Sequence, residues 1–166
     1  MLKMEDVNFD GHEDVVITII RGASNFFAEF FVWDNGQYVY VRHPGEDSAL
    51  CNYQLYPEYG LVHSGANNGY AGDLHEDVLF RWEGTKLEAI RRAVSEEHCV
   101  MTDTPEVFSL TYDNRTLHVR VWDYSLNVNE GELVYETLID IDTLSDSEAH
   151  RNAFAGEQEA LWRGIK

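Results

Sequence analysis

Apolar and polar residues alternate along most of this chain in short runs broken by turn residues, a two-residue period that belongs to β-strands. Val15-Val16-Ile17-Thr18-Ile19-Ile20 is β-branched throughout and too apolar for one solvated face, which predicts a strand buried on both sides and central in its sheet. Residues 26–33 predict a second strand, Asp34-Asn35-Gly36 a tight hairpin turn, and residues 37–41 the returning partner. Between residues 42 and 60, Pro44, Gly45, Pro57 and Gly60 predict a long irregular stretch with one helical turn near residues 47–51. Leu61-Val62-His63-Ser64 reads as a short strand, and residues 65–72 as a flexible, turn-rich segment.

Residues 73–82 and 87–94 predict two strands around the turn Glu83-Gly84-Thr85-Lys86. Residues 107–111, 117–124 and 132–141 continue the pattern, with Asp113-Asn114-Arg115 and Asn129-Glu130-Gly131 as turns, and the acidic stretch from Ser145 onward is the helix candidate. Short strands at a spacing of about ten residues predict an all-β fold of antiparallel sheets, sandwich or β-propeller-like, with a C-terminal helix. No low-complexity tract or linker divides residues 1–166, a length that suits one domain.

Charge narrows the partners. Thirty acidic residues against 12 basic ones give a formal net charge of −18, which repels the phosphate backbone of nucleic acid and an anionic membrane surface alike. The same field draws in divalent cations and basic proteins. Hydrophobic residues at 44% and aromatics at 13% argue for a packed core and against disorder. No apolar run reaches the ~20 residues of a membrane span, and residues 1–6 carry no signal-peptide hydrophobic region. The two cysteines, Cys51 and Cys99, fit neither a CxxC pair nor a zinc knuckle, so a disulfide and two free thiols are both open.

The most specific chemistry lies in Asp6-Val7-Asn8-Phe9-Asp10-Gly11-His12-Glu13-Asp14. Calcium takes six to eight oxygen ligands, which a tightly curled loop supplies from alternate positions. Asp6, Asn8 and Asp10 occupy loop positions one, three and five, the His12 carbonyl falls at seven, and Asp14 at nine ligates directly or through water. Gly11 at position six permits the sharp turn. Position twelve is Ile17, where an EF-hand needs a bidentate Glu, so this is a calcium loop feeding a strand. Without a cation, Asp6, Asp10 and Asp14 are expected to raise one another's pKa values.

The loop resembles the DxDxDGxxD calcium loops of FG-GAP and integrin-type β-propeller repeats, with Asn8 in place of the middle Asp. In such repeats the metal staples a hairpin, which here implies Phe9 packing into the core. A broader resemblance spans residues 2–94 through the Phe31-Val32-Trp33-Asp34 hairpin and Phe80-Arg81-Trp82-Glu83-Gly84-Thr85-Lys86-Leu87. It is similar to small secreted bacterial proteins, often lipoproteins, some of whose relatives resemble periplasmic lysozyme inhibitors. The resemblance implies a non-enzymatic calcium-binding module of the cell envelope or extracellular space, its leader removed, with a cytoplasmic location as the alternative. A basic protein such as a lysozyme is the partner it implies, and Ser64-Gly65-Ala66-Asn67-Asn68-Gly69 the segment that would enter a cleft.

Other candidates are weaker. The histidines, His12, His43, His63, His75, His98, His118 and His150, never fall at i, i+4 or in HExxH, which leaves a zinc site without support from spacing. Glu76-Asp77 and Glu96-Glu97 read as solvated faces rather than acid–base pairs, and Trp33, Trp82 and Trp122 as core indoles. No GxSxG elbow, P-loop or dinucleotide fingerprint is present. A carbohydrate hydrolase built on two of the carboxylates is the rival enzymatic reading.

Overall fold

The computed structural model describes residues 1–21, 25–42, 49–68, 74–102, 111–125, 130–141 and 146–165. The first sheet is built from β1 (Leu2–Glu5), β2 (Asp14–Arg21), β3 (Phe26–Asp34) and β4 (Gln37–Tyr40) in that order, with β5 (Leu50–Cys51) also pairing β3. The second is a meander of β6 (Gln54–Tyr56), β7 (Leu61–Asn68), β8 (Leu74–Glu83), β9 (Lys86–Thr102), β10 (Thr111–Asp123) and β11 (Glu132–Asp140). Every pairing is antiparallel. The helix α1 (Asp146–Trp162) follows.

Alternation along the strands decides which layer each residue meets. Val16, Phe30 and Val32 of the first sheet pack with Val62, Phe80 and Leu87 of the second, together with Val7 from the β1–β2 loop. The opposite face of the second sheet turns Leu61, Leu79, Ile90 and Ala93 toward Ala160 and Leu161 of α1. Alanine, glutamate, glutamine, arginine and leucine make up most of α1, with Gly156 giving room to the Tyr135 hydroxyl, and Gly164 at φ 75° ends it in the left-handed conformation that glycine tolerates. The molecule is thus two open sheets, sandwich-like, with the helix on the outer face of the second. Among the described residues no helix is long and apolar enough to cross a membrane.

Several local expectations change. The run at residues 15–20 does lie between two neighbours, β1 and β3, but only its Val16 side is fully buried: Val16 is 0% exposed, Val15 and Ile17 are half-buried, and Ile19, at a β-bulge, is 47% exposed. Residues 50–51 form a strand rather than a helical turn, because Leu50 pairs with Ala28 and joins the core. Residues 65–68 extend β7 instead of turning, held by pairing to β8 from Gly65↔Asp77 to Asn68↔Leu74. The segment expected to enter a lysozyme cleft is therefore largely sheet; Gly69 lies outside the described residues. Residues 113–115 continue β10 through a register shift between Asp113 and Thr116. The expected strand at 107–111 lies outside the described residues except for Thr111, and the turn at 129–131 except for Glu130 and Gly131.

Candidate functional site

The β1–β2 hairpin closes at Glu5↔Asp14 and presents the predicted calcium loop. Left-handed backbone at Phe9 (φ 62°) and Gly11 (φ 87°) curls it. Asp6 accepts the Asp10 N–H on Oδ1 at 3.2 Å and the Gly11 N–H on Oδ2 at 3.0 Å. Asn8 Oδ1 accepts the same Asp10 N–H at 3.2 Å, and its Nδ2 donates to Asp10 Oδ2 at 3.0 Å. Asp10 Oδ1 accepts the His12 N–H at 2.8 Å and lies 3.1 Å from His12 Nδ1. The structure therefore gathers Asp6, Asn8, Asp10 and His12 around one turn of backbone.

Asp14 stands beneath that turn, fully buried, with Oδ2 accepting from the Val7 N–H at 2.9 Å and Oδ1 from the Trp33 N–H at 2.8 Å. It pins the loop to β3. The charge-crowding expectation needs correcting here. Burial, more than Asp10, raises the Asp14 carboxyl, against the pull of the Trp33 and Val7 N–H groups. Asp10 is lowered instead, chiefly by the His12 N–H. Val7, not Phe9, is the loop residue in the core; Phe9 is only half-buried.

A second constellation sits where α1 crosses the second sheet. His75 and Asp77 are two residues apart on β8, so they share the helix-facing side with Leu79. Asp77 Oδ2 meets His75 Nε2 at 2.6 Å, and Asp77 Oδ1 meets His63 Nε2 of β7 at 2.6 Å. Gly65 lies directly opposite Asp77, and a Cβ there would fall 2.6 Å from Asp77 Oδ1, so glycine makes the room this carboxylate occupies. From the helix, Gln158 Nε2 donates to Asp77 Oδ2 at 3.1 Å, and Glu157 Oε1 lies 3.8 Å from His75 Nε2.

The electrostatics are strongly polarised. Burial pulls the Asp77 carboxyl upward, but His63 and His75 outweigh it and hold it well below the usual carboxylate range. Its hydrogen bond to Asp77 raises the His75 imidazole despite burial. Glu157, 1% exposed, is pushed up to about 8 by burial and by the Asp77 carboxylate. Among the described residues, this is the group of three His, Cys, Asp or Glu side chains, His75, Asp77 and Glu157, whose donor atoms all lie within 4.8 Å of one another.

No protein-family model, curated protein or solved structure matches the chain. The two sites therefore stand on their geometry.

Sequence reasoning places Asp77 on a solvated face, whereas it is 2% exposed, and it leaves His63, His75 and Glu157 without a role. Helical spacing rules do not register residues that meet across strands. Two signals were nonetheless present: a His-Glu-Asp triplet that alternates into the apolar side of β8, and a glutamate within the buried stripe Ala153, Glu157, Ala160 and Leu161 of α1.

Proposed function

We propose that this chain is a calcium-clamped β-sheet module that acts by binding a partner rather than by catalysis, outside the cell or in the cell envelope. The observation that carries the reading is the pre-curled loop, in which Asp6, Asn8 and Asp10 already converge on the backbone N–H groups from Asp10 to His12. Each of those oxygens accepts one or two N–H groups while keeping electron density for a hard cation. Calcium there would bind across the turn that joins β1 to β2. That clamp matters because β1 is a short strand at the edge of its sheet whose Leu2 and Met4 are 63% and 41% exposed.

Loops tuned to weak affinity fill where calcium is abundant, which supports a place outside the cytosol. The net charge of −18 suits a basic partner, of which a lysozyme is one example. Against the hydrolase reading stands the cavity lined by Trp82, Glu83 and Glu88. Its two glutamates lie close enough for Glu83 to raise the Glu88 carboxyl. Retaining glycosidases hold theirs about 5 Å apart and inverting ones farther.

Thermal melting of the full chain tests the reading. At a hundredfold excess of calcium over its dissociation constant, stabilisation of about 2.7 kcal/mol corresponds to a rise of roughly 5–10 °C over the chelated protein. Asp10→Ala is expected to abolish that rise. Equal melting temperatures with calcium and with chelator would remove the basis of the proposal.

A further inference from the structure

We propose a second, separate metal site: a divalent transition-metal ion held by His75 Nε2, the Asp77 carboxylate and Glu157 Oε1, with His63 holding Asp77 in place. The three donors come from two elements, β8 and α1, so the ion would staple the helix to the sheet. Their present separations include 2.6 Å for His75–Asp77 and 3.8 Å for His75–Glu157, and none exceeds 4.8 Å. Ligands about 2.0–2.2 Å from a tetrahedral zinc ion lie roughly 3.3 Å from one another. Movements of about an ångström therefore convert the cluster into a coordination shell.

A bare hydrogen-bond network explains this cluster poorly. Glu157 Oε1 is buried and has no hydrogen-bond partner, its nearest basic group being the His75 imidazole at 3.8 Å, with the Asp77 carboxylate also beside it. Burial leaves such an oxygen to be met by a proton or a cation, and a metal ion arriving there takes the place of the proton. Glu157 also occupies a position where the helix stripe otherwise carries Ala153, Ala160 and Leu161, so packing alone calls for an apolar residue there.

The donor set selects the kind of ion. One imidazole nitrogen with two carboxylates matches zinc and its first-row neighbours, whereas calcium needs six to eight oxygens that this buried spot does not gather. To ligate, His75 presents the Nε2 lone pair and carries its hydrogen on Nδ1. His63 Nε2–H donates to the Asp77 oxygen farther from His75, the outer hydrogen bond that orients a ligating carboxylate. His75, 24% exposed at its side chain, leaves a route for the ion from solvent.

The test is a calorimetric titration of zinc chloride into the full chain, stripped by chelator and then held in millimolar calcium. One equivalent of zinc is expected to bind with a micromolar or lower dissociation constant. His75→Ala and Glu157→Gln should each weaken it at least tenfold, and Asp10→Ala should leave it unchanged. Because calcium is present throughout, a failure of the loop alters the calcium titration and not this one. Glu157→Gln removes a buried carboxylate and is expected to fold, as circular dichroism would record. If His75→Ala does not fold, histidine ¹⁵N spectra of the wild type replace it: zinc must move the His75 Nε2 resonance. Absence of a zinc equivalent, an equivalent that Glu157→Gln leaves intact, or an unmoved His75 resonance overturns the site.

Discussion

The indole Nε1 of Trp82 donates to the carbonyl oxygen of Val7 at 2.8 Å, which ties the second sheet to the loop carried by the first. Val7 sits between Asp6 and Asn8 and is fully buried, so its carbonyl has no water to fall back on. Trp82→Phe keeps most of the ring and removes the donor. The orphaned carbonyl should cost about 1–3 kcal/mol. Calcium affinity should fall with stability, since the oxygens on either side of Val7 lose their support. Denaturant unfolding and a calcium titration on the same variant check both halves.

Asp14 makes a prediction that separates scaffold from ligand. Its two oxygens satisfy the Val7 and Trp33 N–H groups. Asp14→Ala leaves both donors unpaired and should cost roughly 2–5 kcal/mol by the usual penalty for buried unsatisfied groups. Most of the loss should persist in chelator, with a further loss in calcium as the loosened loop gives up affinity. Urea unfolding in the two buffers measures it.

Gly65→Ala should be costly although it lies in a strand where alanine is ordinarily tolerated. The added methyl would fall 2.6 Å from Asp77 Oδ1 and 3.2 Å from His63 Cε1, so the carboxylate or the imidazole must move. Overpacking of this kind costs typically about 1–3 kcal/mol. Thermal melting reads the loss, and zinc titration should weaken in parallel because Asp77 is displaced.

Asp123 supplies the pH prediction. Burial pulls its carboxyl upward, but the Ser125 N–H and the paired Arg91 guanidinium leave it below the ordinary aspartate value. A carboxyl depressed in the fold stabilises above its unfolded pKa, near 4. That stability is lost as pH falls through the lower folded value. Asp123→Asn should therefore destabilise the protein by roughly 1–3 kcal/mol at pH 7, with the gap to wild type closing below about pH 4. Paired unfolding curves from pH 7 down to pH 2 would display the convergence.

How far the sequence could be read depends on the range over which each feature is encoded. Asn35 and Gly36, at φ 48° and 90°, form the hairpin turn that their chemistry demands, and local residues suffice to write it. The loop from Asp6 to Gly11 was legible for the same reason, since its oxygens lie at alternate positions of one turn. Gly65-Ala66-Asn67-Asn68 reads as turn but is strand, because pairing with β8 supplies what local propensity lacks and because Gly65 must be small beside Asp77. The His63, His75, Asp77 and Glu157 cluster depends on a register between two strands and on where the helix docks, neither of which is written in any one segment.

Calcium occupancy of the loop is the claim on which the account turns, and isothermal titration of calcium chloride into the chelator-stripped chain measures it directly. One saturable equivalent is expected in the wild type, lost in Asp6→Ala and Asp10→Ala while both variants keep wild-type circular dichroism. No heat of binding in the wild type, or a full equivalent retained by both variants, would contradict it.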